Sequence, residues 1–152
     1  MALDRFDRQI LAEMQGNGRL TNAELAERIA LSPSACHRRV ARLEQAGVIT
    51  GYAALLSPRA VGLPTTVFVE ITLSGQSQAI MEAFEQAVAL IPDIMECHLM
   101  AGTADYILRI AARDSDDFAR IHREHLARLP HVAGMHSSFS LRTVCKTTAL
   151  PI

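Results

Sequence analysis

The sequence predicts an α+β protein in two parts, an N-terminal helix-turn-helix (winged-helix-like) domain and a C-terminal ferredoxin-like βαββαβ domain. Three observations lead to this fold class. Residues 4–47 contain three short segments with helical spacing of apolar side chains and clear start and stop signals. Residues 57–64 form a break with two prolines and a glycine. Beyond this break the apolar period changes to two, which is typical of strands.

The first two helices have distinct signatures. Residues 4–15 place apolar side chains on one face, namely Phe6, Ile10, Leu11 and Met14, and two glycines at 16 and 18 end the segment. Thr21 and Glu24 have the spacing of a capping box, in which each side chain accepts the other's backbone N–H. They predict a short second helix, followed by a turn at residues 30–31.

The third helix is predicted from residue 33 to about residue 45. Ser32 is suited to be its N-cap, Pro33 its first residue and Gly47 its left-handed C-terminal cap. Two short extended pieces are expected on either side of Gly51, as a linker strand. We place the domain boundary after it, giving a helix-turn-helix domain over 1–60 and a second domain over 61–152.

The second domain begins with a strand over 66–73 that alternates apolar and polar residues. A helix over 78–91 follows, and then strands over 94–101 and 105–112 joined by a short turn. Asp114 or Ser115 is expected to cap a helix that extends to about residue 129, and residues 132–143 form the last strand. The order βαββαβ is the ferredoxin-like arrangement.

Charge is unevenly distributed along a chain of 152 residues with a net charge of −1. Residues 1–60 contain eight basic and six acidic residues, whereas residues 61–152 contain seven basic and ten acidic residues. Residues 28–43 contain four arginines and no acid. Such a focused basic segment indicates a local contact with nucleic acid, and a solvated arginine-rich helix face is the alternative interpretation.

The third helix has two contrasting faces. Cys36, Val40 and Leu43 form a narrow apolar stripe for packing, whereas Arg38 and Arg42 lie one turn apart on the opposite side. Arginine can bind guanine O6 and N7 in the major groove, and serines at a helix N-terminus suit a phosphate. The predicted DNA-binding residues are therefore Ser32, Ser34, His37, Arg38, Arg39 and Arg42.

Several classes of protein are not expected. Charged residues interrupt the N-terminus, so it does not resemble a signal peptide, and no apolar stretch is long enough to span a membrane. We expect a cytoplasmic protein. The three cysteines fit neither a disulfide framework nor a zinc site, and His122 and His125 have no third ligand nearby in the sequence. No phosphate loop or catalytic triad is evident, so we predict neither an enzyme nor a cofactor or metal.

Four stretches of the chain resemble the Lrp/AsnC, or feast/famine, transcriptional regulators, above all their leucine-responsive branch. These are LDRFDRQIL at 3–11, NGRLTNAELAERIALSPSACHRRVARLEQAGVITGYAALLSP at 17–58, VFVEITL at 67–73 and ECHLMAGTADYILRI at 96–110. The resemblance implies a regulator that binds double-stranded DNA at a palindromic operator. It also implies a homodimer formed through the sheets of the second domain, assembling further into tetramers or octamers.

The same resemblance implies an amino-acid effector bound between dimers near residues 102–106. Asp105 would pair with the ligand's amino group, and the rest of the implied site consists of Leu99, Met100, Gly102, Thr103, Ala104, Tyr106 and Ser138. At residues 103–104 this chain has Thr-Ala where many family members have an acidic or polar residue followed by a bulkier one. The alternative for residues 102–105 is an ordinary hairpin turn, with Asp105 a solvated acid and Gly102 needed for backbone shape alone.

Overall fold

The computed structural model describes residues 2–152, which form two compact units. One contains the residues up to Leu55 together with Val144–Ile152, and the other is Leu56–Thr143. The elements in chain order are α1 (Arg5–Gly16), α2 (Asn22–Arg28), α3 (Pro33–Gln45), β1 (Thr65–Leu73), α4 (Gln78–Val88), β2 (Ile94–Leu99), β3 (Tyr106–Ala112), α5 (Ser115–Glu124), a 3₁₀ turn (Leu126–Arg128) and β4 (Val132–Phe139).

The first unit is a three-helix domain whose ends are capped as the sequence predicts. Thr21 and Glu24 form the capping box of α2, and the Ser32 hydroxyl accepts the N–H of Ala35 at the start of α3. Helix α1 has a second capping box, formed by Asp4 and Asp7. The helices enclose a small apolar core, whose buried members are Ile10, Leu11, Leu25, Ala26, Ile29, Cys36 and Leu43.

The turn between α2 and α3 places Ala30 in the left-handed region, with φ of 55°. A Cβ in this region costs about 1 kcal/mol, which is why glycine is common in such turns. Two hydrogen bonds hold the turn: Ala30 N–H donates to Glu27 O (3.2 Å) and Leu31 N–H donates to Ala26 O (3.0 Å). The turn is therefore held by backbone hydrogen bonds and contains no glycine.

The end of the chain belongs to the same unit as α1. The side-chain amide of Gln15 donates to Leu150 O (3.2 Å), and Leu150 N–H donates back to Gln15 Oε1 (2.6 Å). This reciprocal pairing imitates one step of a β-ladder, with a side-chain amide replacing a peptide group. It links two residues that are 135 positions apart.

The second unit is a four-stranded antiparallel sheet in the order β2-β3-β1-β4. Alternate residues of β1 and β3 pack beneath α4 and α5 in one core. The two strands contribute Val67, Val69, Ile71, Leu73, Tyr106, Leu108, Ile110 and Ala112. The opposite face of the sheet is uncovered and includes Phe68, which is 39% exposed. The predicted α+β fold class and the βαββαβ order are confirmed.

The structure corrects several predicted limits. Helix α4 ends at Val88 rather than at residue 91, and β4 ends at Phe139 rather than at residue 143. The β2–β3 connection is longer than the predicted three-residue turn, since β2 ends at Leu99 and β3 begins at Tyr106. Within the described chain no strand occurs between α3 and β1, so the expected linker strand is wrong. An extended segment needs a neighbouring strand for its backbone hydrogen bonds, and here none pairs with it.

A buried acid near the start of α5 was not anticipated. Asp117 is 6% exposed. Its carboxylate accepts hydrogen bonds from Arg113 Nη2 (2.9 Å) and from Arg120 Nη2 (3.0 Å). The Arg113 guanidinium, together with the Arg113 backbone N–H, holds the pKa of Asp117 well below its usual range.

Among the residues described, no helix is long and apolar enough to cross a membrane.

Candidate nucleic-acid interface and ligand cleft

Helix α3 presents a continuous polar face on the side opposite its buried stripe. Cys36 and Leu43 are completely buried, as the helical wheel predicts. Ser34, His37 and Arg38 are exposed and lie at helical neighbour spacing near the N-terminal end of α3. In the described part of the chain no acid lies within ion-pair distance of Arg38. Arg38 therefore has its full set of donors available.

The other two arginines of α3 have partners on α1. Arg39 donates through Nη1 to Asp4 Oδ2 (2.6 Å) and to Asp7 Oδ1 (2.9 Å). Arg42 donates through Nη2 to both Asp7 carboxylate oxygens, each at 2.7 Å. The sequence shows an arginine face without nearby acid, but folding brings two acids to it. Arg38 and Arg42, which share one side of the helical wheel, therefore differ in their acidic partners.

Two of the six predicted DNA-binding residues have roles within the helix N-terminus. Ser32 is the N-cap of α3, and its hydroxyl lies 3.3 Å from that of Ser34. The remaining predicted members divide into two sets: His37 and Arg38 project from the exposed face, whereas Arg39 and Arg42 contact α1. The DNA-binding role of all six residues stays a prediction.

The second candidate site surrounds the β2–β3 connection. Met100 N–H donates to Asp105 O (2.8 Å), which closes the loop, and Asp105 N–H donates to Ile71 O (2.9 Å). The Asp105 carboxylate accepts the backbone N–H of Leu73 (2.7 Å) and the side-chain amide of Gln76 (2.8 Å). Asp105 is thus a hydrogen-bonded support of the segment after β1 rather than an inert solvated acid.

The predicted effector-binding residues separate into two cavities. One cavity, of about 270 Å³, is lined by Leu99, Met100, Asp105 and Tyr106 together with Leu73, Gln76 and Met81. Another, of about 290 Å³, lies toward the uncovered sheet face and is lined by Thr103 and Ala104 with Glu70, Thr72, Gly134, Met135 and His136. Ser138 lines neither of these cavities. It lies opposite Phe68, three residues along β1 from Ile71.

The backbone conformation at residue 102 does not require glycine. Its φ is not in the left-handed region, where the described glycines are Gly47, Gly51 and Gly62. A Cβ built on Gly102 meets no atom within 4 Å. The hairpin alternative, in which glycine is needed for backbone shape alone, is therefore not supported. The open space in front of Gly102 is available to a ligand or a neighbouring molecule.

Tyr106 forms the floor of the smaller cavity. It is 1% exposed, its ring centre lies 4.7 Å from that of Phe84, and its hydroxyl donates to Glu85 Oε1 (2.7 Å). Burial, followed by the hydrogen bond to Glu85, raises the pKa of Tyr106 above its usual value. The phenol therefore stays neutral at physiological pH, so it can donate to Glu85.

Sequence reasoning missed Asp7, Gln76 and His136. Asp7 carried a usable signal, because it occupies an inward position of α1 beside Ile10 and Leu11, where a charge needs a partner. The sequence contains no such signal for Gln76 and His136, because only the sheet register brings them beside the β2–β3 connection. Among the described residues, no group of three or more His, Cys, Asp or Glu side chains is placed to hold a metal.

Comparison with known proteins assigns both units. Residues 3–50 match the model for winged helix-turn-helix DNA-binding domains, and residues 66–150 match the Lrp/AsnC ligand-binding domain. The chain is 41% identical to the leucine-responsive regulatory protein of Escherichia coli K12 over 150 residues, covering 99% of this chain and 92% of that protein.

Solved structures agree with the sequence comparison. A transcriptional regulator from Neisseria meningitidis in complex with L-Met has a TM-score of 0.93 at 39% identity, covering 99% of this chain and 97% of that one. An AsnC family transcriptional regulator from Agrobacterium tumefaciens has a TM-score of 0.94 at 33% identity, covering 98% and 97%.

A winged helix-turn-helix followed by a ligand-binding α+β domain defines a DNA-binding transcriptional regulator rather than an enzyme. The chain belongs to the Lrp/AsnC family.

Proposed function

We propose that this regulator inserts α3 into the major groove of a palindromic operator, and that an amino acid bound at the second unit changes its assembly or its affinity for DNA. The observation that carries the proposal is the polar face of α3, where Ser34, His37 and Arg38 are exposed beside a capped helix N-terminus. Arg38 supplies donors for guanine and the N-terminal turn supplies N–H groups for phosphate.

Selection from a random duplex library, followed by a gel shift on the enriched sequence, tests the DNA part. The proposed function expects a two-fold symmetric site whose half-sites are spaced by about one helical turn. Competition with duplex of mixed sequence gives the specificity ratio. Enrichment of no sequence, with equal affinity for all duplexes, would remove sequence-specific recognition.

Dimerisation is the proposed use of the uncovered sheet face. That face carries Phe68 at its centre, next to an ion pair in which Arg109 lies 2.6 Å from Glu96. An exposed aromatic ring beside a charged pair resembles the apolar core and polar rim of an interface. We propose a homodimer through this face, with further assembly into tetramers or octamers.

Sedimentation of the full chain checks the proposed assembly. We expect a dimer or larger species at micromolar concentration, because dimerisation would cover the exposed Phe68 of the sheet face. On DNA, a two-fold dimer also doubles the phosphate contacts of a single small module. For the same reason the segment 1–60 is expected to bind DNA poorly by itself. A stable monomer of the full chain at micromolar concentration contradicts the proposal.

The ligand proposed for the second unit is an amino acid with an apolar side chain. The Neisseria meningitidis regulator at 39% identity was solved with L-Met. In this chain Met81, Leu99 and Met100 line the same cavity as the Asp105 carboxylate. Apolar walls suit a side chain, and a carboxylate suits an α-ammonium group. Thr103, Ala104 and Ser138 are proposed to contribute from the second cavity and the neighbouring subunit.

Asp105→Ala is expected to weaken amino-acid binding at least tenfold, because it removes the charged partner of the ammonium group. Calorimetry with the amino acid that gives the largest thermal shift measures the effect. Asp105→Asn separates two contributions, since the amide oxygen can still accept the Leu73 N–H while the charge is gone. Asp116→Ala is the matched control, an exposed acid elsewhere in the same unit. Unchanged affinity in Asp105→Ala removes Asp105 from the site.

We also propose a cytoplasmic location, as expected for a regulator of transcription, and functional domains over 1–60 and 61–152. No cofactor enters this mechanism. The gel shift with and without amino acid measures whether the ligand strengthens or weakens binding to the operator.

A further inference from the structure

The carboxylate of Asp7 is the most enclosed charge of the first unit. Its side chain is 0% exposed, yet it belongs to the first turn of α1 and faces α3. It accepts one hydrogen bond from the backbone N–H of Asp4 (3.1 Å) and the contacts from Arg39 and Arg42 described above. The two guanidinium groups therefore meet at a single buried acid.

Both arginines are held in place by more than one contact. Arg39 is 26% exposed, its guanidinium carbon lies 5.3 Å from the centre of the Phe6 ring, and Asp4 supplies a second carboxylate. The Asp7 N–H and the Arg39 guanidinium lower the pKa of Asp4, so this acid is ionised at neutral pH. Arg42 is 49% exposed, but its Nη2 is shared between both oxygens of Asp7.

We propose that Asp7 is a specificity-determining residue that masks the charge of Arg39 and Arg42, so that Arg38 is the one arginine of α3 left to neutralise phosphates of DNA of any sequence. The inference rests on the proposed DNA contact of α3 and states how that contact is kept selective. The helix carries three arginines at 38, 39 and 42, but two acids of α1 neutralise two of them.

The burial of Asp7 favours lasting pairing with Arg39 and Arg42. A phosphate that attracted Arg42 away would leave a fully enclosed carboxylate with fewer partners, and an unpaired buried charge is strongly unfavourable. A solvated surface acid would release its arginine at much lower cost. The pairing therefore survives close approach of DNA, and duplexes of every sequence meet a helix with a reduced positive charge.

Salt dependence measures this masking directly. Each phosphate neutralised by a protein cation steepens the slope of log K against log salt concentration by about 0.9, whatever the DNA sequence. We expect Arg38→Gln to reduce the slope by about 0.9 for each α3 that contacts the duplex. Arg42→Gln is expected to leave the slope unchanged, although both variants lose one arginine from the same helix. The probe is a 30-base-pair duplex of mixed sequence, titrated with the full chain.

Asp7→Asn provides the opposite change. It frees Arg42, so for each bound α3 the slope is expected to steepen by about 0.9 and the affinity for the mixed duplex to rise about eightfold at 0.1 M salt. The double variant Asp7→Asn/Arg42→Gln should return to the parent slope. Asp117→Asn is the matched control, since it removes the same charge from another buried acid held by two arginines, in the second unit.

Equal loss of slope in Arg38→Gln and Arg42→Gln overturns the proposal, and so does a folded Asp7→Asn with the parent slope. Circular dichroism establishes folding of each variant, and the comparison of Arg38 with Arg42 remains decisive if Asp7→Asn does not fold. Failure of the proposed function is a different result: the parent protein would then bind the mixed duplex and its selected operator equally well.

Discussion

Arg38→Ala is expected to weaken binding to the selected operator by about 1–3 kcal/mol at each half-site, or about 2–6 kcal/mol for a symmetric dimer. Arg38 is exposed on the outer face of α3 and has no acid within ion-pair distance among the described residues. Its loss removes a bidentate contact to a guanine and should relax the preference at that base pair. Titration against the operator and its single-base variants measures both effects.

Arg28→Ala is the matched control for this substitution. Arg28 lies at the end of α2, is 53% exposed and pairs with Glu13 at 2.9 Å. Its removal lowers the charge of the same unit equally, but not on α3, the helix proposed to contact the groove. If Arg38→Ala binds the operator like the parent and keeps the same base preferences, α3 does not lie in the major groove as proposed.

Phe84→Ala is expected to reduce the free energy of unfolding of the second unit by about 3–5 kcal/mol, the cost of truncating a buried aromatic ring. Phe84 is completely buried in α4 and packs against Tyr106, which lines the proposed ligand cavity. Urea unfolding followed by circular dichroism measures the change. The ligand-induced thermal shift should also decrease, because the cavity would lose a wall that keeps Tyr106 in place.

Leu90→Ala serves as the control for Phe84→Ala, since Leu90 follows α4 and is 83% exposed. Its truncation should change stability by less than about 0.5 kcal/mol. A loss of less than about 1 kcal/mol in Phe84→Ala would mean that the core around α4 collapses into the vacated space, contrary to the expected cost of the substitution.

The predictable parts of this fold are those with local causes. Both the Thr21 capping box and the Ser32 cap were evident in the sequence, because their partners lie within three residues. The alternation of apolar and polar residues in β1 correctly predicted which face of the strand is buried. Element ends were less accurate: β4 stops at Phe139 because pairing with β1 ends near residue 67, a fact of register that no local pattern carries.

The candidate sites divide in the same way. A helical wheel places Arg38 and Arg42 on one side of α3, but only tertiary structure brings Asp7 to Arg42 across 35 residues of chain. Likewise, the family resemblance located the loop before β3. The sheet register adds that the Asp105 carboxylate accepts the Leu73 N–H, and that Thr103 and Tyr106 line different cavities. Contacts between residues far apart in the chain were therefore the main feature that could not be predicted from the sequence.

The pairing of Gln15 with Leu150 has a consequence for synthesis of the chain. The helices of the first unit emerge from the ribosome early and can form local structure at once, since domains generally begin to fold in N-terminal order. Their last hydrogen-bonded partner is translated 135 residues later, after every strand of the sheet. A chain released before residue 144 should accordingly lack this pairing, and hydrogen exchange of its Gln15 side-chain amide should be faster than in the released full chain.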